Sequence, residues 1–572
     1  MAPKRKNAAH ANFVFLSYAP NATRTDQVLQ DSQRRAHAAR KSHAASRQRQ
    51  RDEVIPGSNT ASYSSVLSEP SVQGAECPPK VKQNPSNQIT RHNDRLVAGT
   101  GQYAPLLLYD LPHSLHRLAQ NPIDPFNSFA AKGLPDYVYK VLYFAAETKW
   151  GNLKPSLSVE QVDQLKTAWL RANVESPTVL HAMVYGMLRS LESTHGDRAS
   201  ALGYLTLKHQ NCALMLLQRD LQQLGNTRPH QNLLLAIITL AAHGDLLDNG
   251  ILEPSGFAES PLARTQNLHI YGLMRMVPQH RQAIFAILDQ LGGIEAVTLF
   301  GLRETLEFYD LLFATRFGVP PKIPCNRPMT PLVPDIQCIP DDVAQRMLSR
   351  LGKSFFSLQE LDCESIQAVE DCCILVVGLD QYQRRTPWAP SLPSLIAART
   401  IAQHQLTALP PISDYLASVE TPTAITHQIR EICRIALLIF SDMTIFPVPR
   451  VSGVKARLVS TLRKRLEIIS PDLWSLHREL MSWILMIGGV AARATTHRDW
   501  FVSISHARLW WYLNEWKDVK DILETYLWWD HVYFDVGLDF WMQVQKRHDS
   551  IASSAKSLAS VSRFTDDDIC DV

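Results

Sequence analysis

The sequence predicts an all-α protein: a large multi-helix domain of packed helix pairs, preceded by a disordered basic N-terminal arm and a linker. Three observations carry this. From about residue 137 to 550 apolar residues recur at helical spacing, and no sustained period-2 alternation marks a strand. Residues 52–100 are rich in Ser, Pro, Asn and Gly with hardly any aromatics, which is linker composition. Charge is segregated: eleven of the 58 Lys and Arg fall in residues 1–51 against only Asp26 and Asp31, so a chain of net charge +3 divides into +9 over residues 1–51 and −6 over the remainder.

In chain order, the basic leader, residues 1–55, comes first, and the disordered linker, 56–100, follows it. The leader is polar except for Phe13-Val-Phe-Leu16. From Thr25 to Arg51 it holds no Pro or Gly and much Ala, Gln and Arg, all good helix formers. Its apolar residues are nearly all alanines, so this helix has no face to anchor on a core and firms up only on a partner. The basic residues Lys4, Arg5, Lys6, Arg34, Arg35, Arg40, Lys41, Arg47, Arg49 and Arg51 are the candidate site for nuclear localisation and DNA-backbone contact. Small alanines let a helix approach phosphates, and Arg and Lys displace the counterions there. No Asn or Gln is held rigidly enough to read bases. Pro3-Lys4-Arg5-Lys6 would serve import by itself, so import alone and import with DNA contact both stay open. The run Ala44-Ala45-Ser46-Arg47-Gln48-Arg49 is similar to the end of a bZIP basic region. The Asn expected there is missing, and Asp52-Glu-Val-Ile-Pro56 stands where a zipper should begin.

The helical body spans 101–550, with a subdivision near 320–340 left open by the Pro-rich stretch there. Order is expected from about Tyr103 and Asn121–Phe126. Tyr137, Val141, Leu142 and Ala145 share one helical face, as do Leu180, Met183, Met187 and Leu191. Ser158-Val-Glu-Gln161 has the form of a capping box before a helix through about Ala172. Further helices are predicted over 197–224, 229–248, 264–277, 279–292, 294–317, 340–352, 357–381, 391–408, 424–442, 454–468, 471–487, 500–526 and 530–550. Residues 551–572 read as a disordered acidic tail. Nine of the 12 tryptophans lie between Trp474 and Trp541, where large rings supply helix-packing bulk.

The 9 cysteines are scattered and odd in number, and most sit in apolar runs such as Cys372-Cys373-Ile-Leu-Val-Val. They fit reduced thiols acting as small core hydrophobes in the cytosol or nucleus. No CxxC pair exists, which excludes a zinc-cluster DNA-binding domain. The longest apolar stretches, Leu233–Ala242 and Leu480–Ala492, fall short of the roughly 20 residues that span a bilayer, so a soluble intracellular protein without a membrane partner is expected.

Catalytic signals are weak, and neither an enzyme nor a cofactor is expected. Asp567-Asp568-Ile-Cys-Asp571 matches the DDxxD pattern of all-α terpenoid synthases, the remote enzymatic alternative, but lies in the last six residues after a Ser-rich stretch. His497-Arg498-Asp499 copies the kinase tripeptide, yet Ile504 stands in place of the required Asn. Gly292-Gly293 and Gly488-Gly489 read as helix ends rather than phosphate cradles. The 20 histidines show no metal-ligand spacing.

Two segments resemble the fungal-specific transcription factor domain family, in its branch with a basic N-terminal arm and no zinc cluster. The first is Asn12-Phe-Val-Phe-Leu16, Pro20, and the run Arg34–His43 leading to Arg47, Arg49 and Arg51, followed by Asp124-Pro125-Phe126 where the family's ordered domain starts. The second joins Asn232–His243, His269-Ile-Tyr-Gly272-Leu273 with Val277, Gly292-Gly293, and Asp310 with Ala314. A close helix crossing at Gly272 would explain His269 and Gly272 without a ligand. The resemblance implies a nuclear transcriptional regulator whose helical domain binds an effector or other transcription proteins, in the setting of a secondary-metabolite gene cluster. A homodimer is among the assemblies open to it. A nuclear scaffold without DNA binding fits the same residues, because the family's zinc cluster is missing.

Overall fold

A computed structural model of the chain describes residues 128–154, 156–195, 202–223, 230–247, 258–325, 340–412 and 422–566. All fall in residues 102–572, which form one compact unit. The described residues hold 18 α-helices and no strand. Two chain segments pair only at the isolated antiparallel bridge Leu246–Met274.

Helix α1 (Asp136–Phe144) continues into a π-helical turn over Ala145–Trp150. Helix α2 (Val159–Glu175) starts on the expected capping box: Gln161 N–H donates to Ser158 Oγ at 3.3 Å and Ser158 N–H to Gln161 Oε1 at 2.9 Å. A cap of this kind stabilises a helix by about 1 kcal/mol. Helix α3 (Pro177–His195) buries Leu180, Met183, Met187 and Leu191, the face read from periodicity. It packs on α2, on α4 (Gly203–Gln223) and on α5 (Gln231–Ala242). Helix α5 is buried from Asn232 to Ala241 on every side, as a helix apolar all round must be.

The predicted helix over 264–277 is replaced by a 3-10 turn at Thr265–Asn267 and the one-turn α6 (Leu268–Tyr271). Gln266 and Asn267 hold positive φ of 50° and 56°, which ends helical propagation before α6. Beyond α6, Arg275 N–H donates to Asp245 O at 2.7 Å and Leu247 N–H to Leu273 O at 2.8 Å. These non-local bonds take the backbone groups a longer helix would use. Helix α7 (Pro278–Leu291) ends on Gly292 at φ 100°, with Gly293 N–H donating back to Leu288 O, so this glycine pair is a helix end. Over 294–317 the helix begins only at α8 (Leu302–Phe317), because Gly301 at φ 80° interrupts it.

Helices α9 (Asp342–Arg350), α10 (Cys363–Arg384), α11 (Leu392–Ala408), α12 (Pro422–Thr444) and α13 (Val454–Glu467) follow. Since α8 packs on α11 and α13, the chain on both sides of 320–340 belongs to one body. After α14 (Pro471–Leu476) comes the buried α15 (Arg478–Ala491), which touches α12, α13, α16 (Arg498–Leu509), α17 (Trp516–Leu523) and α18 (Asp530–Asp566). The predicted helix 500–526 is thus two, and the last runs past the expected end near 550, since residues 551–566 contain no Gly or Pro to stop it. Tryptophan bulk fills this half: Trp483 is fully buried, its ring perpendicular to Phe355 at 5.0 Å, and its Nε1 donates to Leu527 O at 2.7 Å.

Gly488-Gly489 lies inside α15 rather than at its end. Their missing side chains admit the rings of Phe501 and Phe540. Gly272 does mark a close approach, but to Val448 and Pro449 in the connection between α12 and α13, not to a crossing helix. Arg498 of the kinase-like tripeptide ties α16 to α18, donating to Asp539 Oδ2 and Gln543 Oε1 at 3.0 Å each and lying over the Phe540 ring.

Candidate functional site

The candidate basic residues Lys4, Arg5, Lys6, Arg34, Arg35, Arg40, Lys41, Arg47, Arg49 and Arg51 lie outside the described residues, as do Asp124–Phe126 and the terminal Asp567-Asp568-Ile-Cys-Asp571. Within the described residues, the feature with chemical potential is a cavity of about 70 Å³ in the first half of the helical unit.

Its wall is built by elements far apart in sequence: the π-helical turn after α1, then α2, α3, α5, the 265–271 segment and α8. Most of it is apolar, from residues such as Leu235, Ile238, Met183 and Phe308. Trp150 and Trp169 meet edge to face at 5.4 Å on one side, and Trp169 Nε1 donates to Phe300 O at 3.0 Å, which fixes that ring. The polar members are few: Lys149, His243, Asn267, Tyr271, Thr305 and Tyr309 among them. Among the described residues no carboxylate lines the cavity.

Lys149 is half-buried and forms no ion pair among the described residues. Burial pushes its ammonium below the ordinary lysine range. It sits on the π-helical turn, whose wider winding offsets a side chain from the α-helical register.

His243 ends α5. Its Nδ1 lies 2.8 Å from Thr239 O, so the neutral ring donates through Nδ1–H and keeps Nε2 as an acceptor. Burial, together with the charges of Arg189 and Lys149, holds its pKa down at about 4, although the bond to Thr239 works the other way. The His243 ring packs edge-on against Tyr271 at 5.2 Å. Gly186 of α3 lets these groups approach, since a Cβ there would lie 2.9 Å from Thr239 Cγ2 and 3.0 Å from His243 Nδ1.

Burial raises the phenols of Tyr271 and Tyr309 far above their usual range, so both remain neutral donors. The Tyr309 hydroxyl is buried and meets no hydrogen-bond partner among the described residues. Behind Phe308 lies Arg399, fully buried and, among the described residues, without a carboxylate partner: it donates to Thr265 Oγ1 and Gln266 Oε1 and lies over Phe446 at 5.1 Å. Burial pulls its pKa down to about 9. Lys149 is therefore the one cationic side chain among the described residues that line the cavity, and Arg399 stands behind its Phe308 wall.

Sequence reasoning missed this site. Its available signals were a lysine set between Ala145-Ala146 and Trp150, and the histidine that closes the apolar run 233–242. Nothing local shows that these two meet.

Among the described residues no three His, Cys, Asp or Glu side chains gather as a metal would require, and no helix is long and apolar enough to cross a membrane. Compared with known proteins, the chain matches no family model, no curated protein and no solved structure.

Proposed function

We propose that this chain is a non-enzymatic transcriptional regulator of the nucleus. Residues 1–55 provide import and contact with the DNA backbone, and the helical unit receives an effector or partner protein. The observation that carries the reading is charge segregation: +9 in residues 1–51 against −6 elsewhere. A cationic, alanine-spaced segment seeks a polyanion, and counterion release from phosphates drives that association. The similarity of 12–51 and 232–314 to the fungal-specific transcription factor domain family supports it and suggests secondary-metabolite genes as targets. The cavity supports the effector part, because a mostly apolar pocket with a few convergent polar groups is the usual form of a small-molecule site.

The test compares the full-length chain with a full-length variant whose leader arginines and lysines are replaced by glutamine. Genome-wide occupancy at discrete promoters, lost in the variant, is the expected result. With purified protein, affinity for duplex DNA falls steeply with salt, with a log–log slope near the number of phosphates engaged. Nuclear occupancy without salt-dependent DNA affinity would instead make the chain a scaffold. Absence from the nucleus would end the reading.

A further inference from the structure

The cavity's chemistry selects its occupant, and this inference rests on the effector-binding part of the function proposed above. A lysine in a mostly apolar wall with no carboxylate partner is a half-made interaction. Its charge is disfavoured by burial until an anion arrives. Tyr309 adds a hydroxyl donor that meets no acceptor among the described residues. A buried donor without a partner costs stability, so a ligand oxygen there recovers what the fold forgoes. Arg399, buried behind Phe308, adds positive potential near the cavity.

These features rule out several ligand classes. An amine would meet the like charge of Lys149. A phosphate dianion would need more than one lysine, and usually a bidentate arginine, within reach. A polar sugar would leave its hydroxyls facing Leu235, Ile238 and Met183. What remains is a singly charged group on an apolar body.

We propose that the cavity bounded by Lys149, His243, Tyr271 and Tyr309 binds a small aliphatic or aromatic carboxylic acid as its anion. Lys149 takes the carboxylate, and Trp150, Trp169 and Phe308 enclose the apolar body. Because the wall is drawn from six separate elements, an occupant joins the 145–150 turn, α2, α3, α5 and α8 around one point. Binding therefore stabilises this half of the unit as a whole.

The test titrates benzoate and hexanoate into the full-length protein, followed by quenching of tryptophan fluorescence and by calorimetry. Benzyl alcohol and hexanol serve as neutral counterparts and benzylamine as the cation. The expected result is saturable one-to-one binding of both acids, at least tenfold tighter than the matching alcohols, with no binding of the amine. Lys149→Met should weaken the acids at least tenfold and leave the alcohols within about twofold. Lys149→Arg should retain acid binding.

Equal affinity for acid and alcohol would overturn the proposal and leave only an apolar void. Unchanged acid binding in Lys149→Met would overturn it as well. Should Lys149→Met fail to fold, the acid-over-alcohol preference of the unmodified chain decides, provided it persists when the leader's basic residues are replaced by glutamine. A preference that vanishes with those residues belongs to the leader and overturns the cavity assignment. Acid binding does not depend on DNA, so its failure leaves the chromatin test of the regulator reading standing, and the reverse holds too.

Discussion

Arg281 of α7 and Asp310 of α8 form a buried ion pair, with Arg281 Nη2 2.6 Å from Asp310 Oδ1. Asp310 does more than balance the guanidinium. Its Oδ2 also accepts the backbone N–H groups of Lys322 at 2.5 Å and Ile323 at 2.9 Å, where the chain leaves α8. Arg281 in turn lies over the ring of Phe313 at 4.6 Å. One carboxylate therefore joins two helices and a chain exit.

Removing Asp310 should cost more than removing Arg281. Asp310→Ala strands a buried cation and two backbone donors, and losing one partner of a buried pair typically costs about 3–5 kcal/mol. Arg281→Met leaves Asp310 two of its donors and keeps an apolar body against Phe313, so its cost should be clearly smaller. Urea midpoints of the two variants at neutral pH check the order, and equal losses would contradict it.

Glycines with the same helical backbone should respond in opposite directions. A Cβ on Gly489 would strike the ring of Phe540 inside α15. Gly489→Ala should therefore destabilise by about 1–3 kcal/mol through overpacking. At Gly203, the first residue of α4, a Cβ meets nothing within 4 Å. Gly203→Ala should stabilise by roughly 0.4–1 kcal/mol, because it narrows the unfolded ensemble. Differential scanning calorimetry of both variants reads the two signs.

Acid should destabilise the unit partly through His243. In the folded state its pKa is about 4, against 6.5 for the free side chain. Between these values the unfolded chain takes up a proton that the folded chain refuses. Stability is then fully present above about pH 6.5 and declines as pH falls toward 4, by up to about 1.4 kcal/mol per pH unit for one such histidine. His243→Gln should flatten the dependence of the urea midpoint on pH between 7 and 5. An unchanged slope would assign it to other buried histidines, such as His209, which burial holds at about 3.

Thiol reactivity should divide by burial. Cys372, Cys373 and Cys433 are buried, and desolvation pushes their thiols well above the ordinary range. Cys363, at the start of α10, is exposed. Brief alkylation of native protein at pH 8, read by mass spectrometry, should label Cys363 and spare the other three until denaturant is added. Labelling of Cys433 in the native state would contradict this placement.

The amino-acid sequence by itself determined the all-α class, the capping box at Ser158–Gln161, the buried face Leu180–Leu191 and the glycine stop at Gly292. These are matters of local periodicity, capping and backbone freedom, which neighbouring residues settle among themselves. The tertiary structure alone decided where helices break against their periodicity. Asp245 and Leu273 take up backbone groups of the 245–247 and 272–276 segments, and Gly301 interrupts the chain before α8. It also decided the candidate site. Lys149, His243 and Tyr309 become neighbours of one cavity only through packing among the 145–150 turn, α3, α5 and α8, and no spacing along the chain encodes a contact between residues so far apart. The same packing removes these polar groups from water, and that desolvation turns ordinary lysine, histidine and tyrosine side chains into groups with unmet charge or hydrogen-bonding capacity.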